Sequence, residues 1–295
     1  MMKCLKFFLS LSLILLVSCS QEKDQVVVIS TPYGEMTAVF FDDTPIHKQN
    51  FLSLAQEGKY DSVIFHRVIE EFMIQGGNLR TGKFPDEENY TLEAEFTPEK
   101  HIHKKGAIAA ARTGDASNPE KKSSGTQFYI VQGLTYDDAG LQSRAERRME
   151  LKLGGIFTRM LRSERFPELT EKYNYHLEKF REDSTYDFGA AQRNLIYQSL
   201  PIIEEEFGDQ TDPGYPDWAK EVYASIGGVP HLDAEYTVFG QVVDGLEVID
   251  KIAAVETNQR DKPLKDLRMF MEVKEMTRSE ITKQYGFEYP KEEEQ

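Results

Sequence analysis

The sequence predicts a mainly β domain, a barrel or sandwich, interrupted by a helical unit. Three observations predict it. Short runs rich in β-branched and aromatic residues recur over 26–131 and 237–273, separated by Gly, Pro and Asp turns. Few segments in those two stretches read as helices. Between them, over residues 133–227, the pattern changes to many Glu, Lys and Arg with apolar residues four apart, the spacing of a helix with one buried stripe.

Taken in order, Val26 to Ser30 and Glu35 to Phe41 read as strands joined by the turn Thr31-Pro32-Tyr33-Gly34. Thr44-Pro45 reads as an N-cap followed by Pro at the first helical position. That helix is expected to run to about Gln56, with Gly58 just past its end and Ile46, Phe51, Leu54 and Ala55 on its buried side. Further strands are expected at 63–68, 73–75, 107–110, 126–131, 237–243 and 267–273, with a helix over 245–254. In the helical unit Leu141, Ala145 and Met149 share a face, as do Ile156 and Met160, and Leu195, Ile202 and Ile203 form an apolar face on a later segment ending near Phe207. These stripes are expected to pack mainly among the unit's own helices. The tail from Tyr285 to Gln295 is acidic and is expected to fray.

Composition narrows the function. With 295 residues, 40% hydrophobic and 11% aromatic, the chain has the material for a substantial core and is not a disordered chain. The only long apolar run is N-terminal, which excludes a multi-span membrane protein. A formal net charge of −15 argues against a nucleic-acid partner, because phosphate binding needs a basic field. Two cysteines, Cys4 and Cys19, exclude a disulfide framework and a cysteine-built metal site.

The N-terminus reads as an address. Lys3 and Lys6 precede the apolar run from Phe7 to Val17. Eleven residues make a helix of about 16 Å against a hydrocarbon core of about 30 Å, so the run reads as a signal segment and not a span. Leu16-Val17-Ser18-Cys19 resembles the bacterial lipobox, which implies cleavage before Cys19 and lipid attachment to it. The plainer alternative is a secretory signal with a chance cysteine. Residues 1–18 are therefore read as a lipoprotein signal peptide and 19–25 as a tether. Localisation is expected at the bacterial cell envelope, lipid-anchored at the outer membrane or periplasmic face.

The informative segment is Phe65-His66-Arg67-Val68-Ile69-Glu70-Glu71-Phe72-Met73-Ile74-Gln75-Gly76-Gly77-Asn78. It resembles the signature of the cyclophilin family of peptidyl-prolyl isomerases. Ser124-Gly125-Thr126-Gln127-Phe128-Tyr129-Ile130 resembles that family's glutamine–aromatic strand, and Lys105 to Thr113 its peptide-pairing strand. His231-Leu232-Asp233, followed by Thr237-Val238-Phe239-Gly240, resembles its pocket-closing loop and the next strand. The resemblance covers 26–131 and 228–273, in order. It implies a closed eight-stranded antiparallel β-barrel with two capping helices, and no cofactor. The expected organisation is an isomerase domain over 26–132 and 228–278, a helical insertion over 133–227 and an acidic tail over 279–295.

The chemistry fits these residue types. Rotation about an X–Pro bond meets a barrier near 20 kcal/mol because resonance stiffens the amide. A catalyst needs neither nucleophile nor metal, only a fixed donor near the proline nitrogen of the twisted amide, and arginine stays charged and presents a planar fork. Arg67 is the candidate donor. Met73 and Gln75 share a strand face. The resemblance assigns catalysis to Arg67, Phe72 and Gln75. It assigns substrate binding to Met73, Ala111, Arg112, Gln127, Tyr129, His231, Leu232 and Tyr236, with the Ala111 and Arg112 backbone pairing with extended peptide. His101 and His103 could form a His-x-His metal pair, but no supporting ligand frame is visible in the sequence, and no metal is expected.

Two positions depart from the animal members of the family, which carry tryptophan where His231 stands and histidine where Tyr236 stands. This implies weak binding of the cyclic peptide cyclosporin. The expected function is isomerisation of X–Pro segments in unfolded or exported proteins. The alternative is a proline-peptide binding or holdase-type module that recruits a protein partner through the helical insertion. The expected partners are X–Pro segments and, through acylated Cys19, a lipid bilayer.

Overall fold

The computed structural model describes residues 22–84, 90–210, 212 and 214–290. Cys19 and the whole signal segment lie outside the described residues. Eight strands form one antiparallel sheet: β1 (Lys23–Thr31), β2 (Gly34–Phe40), β3 (Arg67–Ile69), β4 (Met73–Gly76), β6 (Ala107–Ala110), β8 (Phe128–Val131), β9 (Val238–Asp244) and β10 (Phe270–Thr277). Their order is β10-β1-β2-β9-β6-β8-β4-β3. β5 (Thr91–Leu92) and β7 (Ser123–Ser124) pair separately.

No ladder joins β3 to β10, so the closed eight-stranded ring expected from the sequence is not formed as a continuous ladder. Instead the segment before β3 bonds to the segment before β10. Ser62 N–H donates to Met269 O, Met269 N–H to Val63 O and Phe65 N–H to Leu267 O, at 2.8–2.9 Å. This pairing also explains why both strands start later than expected. β8 starts at Phe128 because the Ser124 hydroxyl takes the Thr126 and Gln127 amides into a turn.

Side chains alternate across the sheet with period two. One face holds the main core, with Val27, Ile29, Phe40, Ile74, Ile108, Phe128, Ile130 and Phe239. Two helices cover it: α1 (Pro45–Gln56) contributes Phe51, Leu52 and Leu54, and α7 (Leu246–Ala253) contributes Val248, Ile249 and Ile252. α1 has the expected bounds but a different cap. The Thr44 hydroxyl turns back to Phe41 O, and the Glu95 carboxylate takes the Ile46 and His47 amides at 3.1 and 3.0 Å. Ile46 is exposed and His47 is buried, the reverse of the expectation from spacing, because Glu95 also binds the His47 ring at 2.6 Å.

Residues 133–227 contain five helices: α2 (Asp138–Leu161), α3 (Pro167–Glu182), α4 (Phe188–Gln198), α5 (Leu200–Phe207) and α6 (Asp217–Ser225). Asp137 and Asp187 cap α2 and α4 through their side chains. The apolar residues form two cores, not one. Leu153, Ile156, Phe157 and Met160 of α2 pack with Leu169, Leu195 and Ile203, while Ile202 stays exposed. Leu141 and Ala145, at the other end of α2, pack with Tyr215, Ala219 and Tyr223 onto Ile102 of the sheet domain. The unit's entry and exit meet: Leu134 and Gly228 exchange backbone bonds at 3.1 and 2.8 Å. Gly133 sits there at φ +67°, and a Cβ on it would lie 2.3 Å from Gly228 O.

Both chain ends depart from expectation. β1 starts at Lys23, inside the segment read as tether, because it pairs with β10 as far as Thr277. The tail does not fray over its described part. α8 (Arg278–Tyr285) starts on a Thr277–Glu280 capping box, and Phe287 and Tyr289 then pack against the cluster of Val26, Val39 and Ile281.

Candidate active site

The other face of the sheet carries a second apolar cluster: Phe41, Met73, Ala107, Ala109, Tyr129, Val131, Val229, Leu232 and Val238, flanked by Ile69, Phe72, Ala111 and Tyr236. Strand register lines up one row across it. Arg67 pairs with Gln75, Gln75 with Tyr129, Tyr129 with Ala109, and Ala109 with Val238. With strands about 4.8 Å apart, this row spans roughly 19 Å. Met73, two residues before Gln75, lies in the next row opposite Val131. An arginine and a glutamine thus stand at one end of an apolar surface walled by Met73, Tyr129 and Leu232.

The Arg67 side chain is 44% exposed, and its Nε lies 3.5 Å from Asp261, which is equally open. Solvent screens such a pair, so the guanidinium is oriented without being neutralised. Asp261 sits at φ +59°, and its carbonyl accepts from Val68 N–H at 2.8 Å, which pins the turn beside β3. Gln75 Nε2 donates to Gln127 Oε1 at 3.3 Å. His66, next in the chain, has a buried Nδ1 with no partner among the described residues. Burial lowers its pKa, outweighing the Ile64 carbonyl that favours the charged ring.

Ala111 does not offer the free backbone expected of it. Its N–H donates to Gln127 O at 2.9 Å and its carbonyl accepts from Ser124 N–H at 2.7 Å. The Arg112 side chain is buried as a clamp. It donates to Glu235 O, the Glu235 carboxylate, Thr113 O and Asp115, and lies 4.6 Å from the Tyr236 ring centre. The clamp holds Tyr236 edge-on to Tyr129, with ring centres 5.8 Å apart.

His231 is exposed and stacks on Phe72 with ring centres 5.9 Å apart. Desolvation lowers its pKa, aided by Arg144 and His103. Behind it the Pro230–Leu232 turn leads to Asp233 and then to Ala234 at φ +62°, a conformation that costs a non-glycine residue about 1–3 kcal/mol. Asp233 stabilises that turn. Its carboxylate accepts from the His103 amide and from Tyr223 O–H, and pairs with His103 Nδ1. His103 Nε2 in turn meets Tyr129 O–H at 2.9 Å.

The residues expected from the sequence to act in catalysis or substrate binding therefore lie on or border this face. His101 and His103 do not converge: His101 pairs with Asp43 and stacks on Phe41, while His103 pairs with Asp233. Asp261 and Tyr223 carried no signal in the sequence, because their importance comes from contacts with distant residues. A separate groove of about 720 Å³ lies between Phe41, Trp218 and Phe287, and its lining includes none of Arg67, Gln75 and Tyr129.

The profile of the family described as "Cyclophilin type peptidyl-prolyl cis-trans isomerase/CLD" matches residues 26–138 and 221–273, more than half the chain. A Streptococcus pyogenes protein named for phosphatase and peptidyl-prolyl cis-trans isomerase activities is 32% identical over 246 residues, covering 82% of this chain and 37% of its own length. This chain thus spans little more than a third of that relative. A Staphylococcus aureus protein named for peptidyl-prolyl cis-trans isomerase activity is 28% identical over 250 residues, covering 84% of this chain and 90% of its own. A crystal structure of a Cryptosporidium parvum cyclophilin type peptidyl-prolyl cis-trans isomerase aligns with a TM-score of 0.46 at 17% identity, over 85% of this chain and 97% of that one. The chain belongs to the cyclophilin-type peptidyl-prolyl cis-trans isomerase family.

Proposed function

We propose that this protein isomerises X–Pro bonds in unfolded or exported proteins, with Arg67 as the donor to the proline nitrogen. The observation that carries the reading is the row Arg67–Gln75–Tyr129 beside Met73: a half-exposed guanidinium at the edge of an apolar seat. The proline ring sits among Met73, Phe72, Tyr129 and Leu232. Gln75, held by Gln127, hydrogen-bonds the substrate and steadies Arg67. The Arg112 backbone, which has no hydrogen-bond partner among the described residues, pairs with the extended peptide. As the amide twists, its nitrogen regains a lone pair, and Arg67 donates to it. Lowering the barrier by about 7 kcal/mol gives roughly a 10⁵-fold rate increase.

We read the eight strands as a barrel that closes through the backbone bonds between 62–65 and 267–269, which keeps the groove on the outer face. The anchor reading rests on Leu16-Val17-Ser18-Cys19. Among the described residues no helix is long and apolar enough to cross a membrane. Acylated Cys19 would hold the folded part at the envelope, and mass spectrometry of the membrane fraction tests this: an unmodified N-terminus would sink it.

A second reading, a proline-peptide holdase without turnover, draws on Tyr175, Phe180 and Tyr197, which stay exposed on the helical unit. Exchange NMR on an Ala-Ala-Pro-Phe peptide separates the two. Catalysed cis–trans exchange supports the isomerase, and binding without exchange supports the holdase.

A further inference from the structure

Four buried polar side chains form an unbroken chain behind the apolar seat. Tyr223 O–H donates to Asp233 Oδ2 at 2.6 Å, Asp233 Oδ1 meets His103 Nδ1 at 2.9 Å, and His103 Nε2 meets Tyr129 O–H at 2.9 Å. Tyr223 and His103 are fully buried, Tyr129 is 4% exposed and Asp233 7% exposed. The chain has a direction. A carboxylate only accepts, so His103 Nδ1 carries a proton, and in the neutral form of the ring Nε2 is then the acceptor. The Tyr129 hydroxyl donates inward to that acceptor and turns its ring to form the wall. The two ends come from different parts of the molecule. Tyr223 belongs to α6 in the helical unit, and Tyr129 to β8 in the sheet. A second link runs beside the first, where Tyr215 O–H donates to Pro230 O at 3.1 Å.

We infer that His103 and Asp233 are positioning residues through which α6 sets the affinity of the seat for proline peptides. The inference rests on reading the outer face as a proline-peptide site. Asp233 stands between the two ends and also fixes the turn that carries Leu232, so one carboxylate holds two walls of the seat. Removing the Tyr223 hydroxyl leaves a buried carboxylate oxygen without its donor. The carboxylate must then shift, and the His103 ring and Tyr129 shift with it. In a close-packed interior such a shift is not absorbed locally.

The test is a double-mutant cycle in the full chain, with Tyr223→Phe, Tyr129→Phe and the pair. The readouts are the dissociation constant of an Ala-Ala-Pro-Phe peptide by NMR titration and the exchange rate of the bound peptide. Each single variant is expected to weaken binding about three- to tenfold, the scale of one buried hydrogen bond partly transmitted. The pair is expected to be no weaker than the weaker single variant, because both cut the same chain. Bound-state exchange is expected to change less than affinity. Effects that multiply in the pair overturn the inference, as does wild-type affinity in a folded Tyr223→Phe protein. If Tyr223→Phe does not fold, Asp233→Asn keeps the shape and takes its place in the cycle. Nitrogen-15 spectra of His103 give an independent check: Nδ1 protonated and Nε2 bare supports the chain, and the opposite tautomer overturns it. A wild-type protein that binds no peptide sinks the site reading itself, whereas one that binds without coupling sinks only this inference.

Discussion

Arg67 stands where its charge is held in place but stays open to solvent, with Asp261 on one side and Gln75 across the ladder. Arg67→Ala is expected to reduce turnover on a short X–Pro peptide by at least about 10²-fold, the scale of losing one preorganised donor. The melting curve should stay near wild type, because the side chain is 44% exposed. Arg67→Lys should recover little, since a point charge does not replace a planar fork. Near-wild-type turnover in folded Arg67→Ala would refute the assignment. His231 supports a second expectation. Its ring stacks on Phe72 but offers less area than an indole and presents its donors differently. His231→Trp should tighten cyclosporin binding about tenfold or more, since restored contact and one hydrogen bond together contribute roughly 1–3 kcal/mol. An inhibition titration measures it, and equal affinity in both proteins would contradict it.

At the level of elements, α1 depends on a residue far from it in sequence. Thr44 supplies no side-chain cap, and Glu95 binds two amides of the first turn together with the buried His47 ring. Glu95→Ala removes the cap and also leaves His47 without its partner. A stability loss of about 1–2 kcal/mol is expected from the cap alone, which thermal denaturation should show as a lower midpoint. Hydrogen exchange at the Ile46 and His47 amides should rise ahead of the rest of α1. An unchanged midpoint would show that water replaces the carboxylate without cost.

Across the whole molecule, four histidines share one response to pH. His47, His66, His101 and His231 all have pKa values lowered from 6.5, with burial the largest cause. The folded protein therefore binds fewer protons than the unfolded chain below that value. These groups destabilise nothing above about pH 6.5, cost stability as the pH falls toward their folded pKa values, and level off beneath them. Denaturant midpoints at pH 7.5, 6 and 5 should fall in that order, and a midpoint that rises on acidification would contradict the sign. The helical unit divides into two parts, each with its own core. Arg148 binds Asp212 through two bonds of 2.5 and 2.7 Å, so the chain comes back on itself between the two cores. Replacing 150–210 with a short Gly/Ser linker should remove the outer core and leave turnover on a short peptide intact. Replacing all of 133–227 also removes Tyr215 and Tyr223, and should lower peptide affinity. Equal behaviour of the two deletions would show that α6 does not support the seat.

The sequence by itself determined the local features and the ordered motifs. Period-two alternation placed Met73 with Gln75, the Pro45 start fixed α1, and three ordered blocks pointed to the family and to Met73, Phe72, Tyr129, Leu232 and Tyr236 on the face. These signals are written over a few neighbouring positions, so they can be read without a fold. Tertiary structure alone decided what depends on closure of the chain. It moved the starts of β3 and β10, because residues 62–65 bond to 267–269 instead of extending the strands. It replaced Thr44 with Glu95 as the cap, occupied the Ala111 backbone, and packed a tail whose composition suggested fraying. It also split the helical unit into two cores and sent Tyr223 to Asp233. No periodicity encodes a hydrogen bond between residues brought together only by folding, which is why the partners of Arg67 and Tyr129 were invisible until the sheet was assembled.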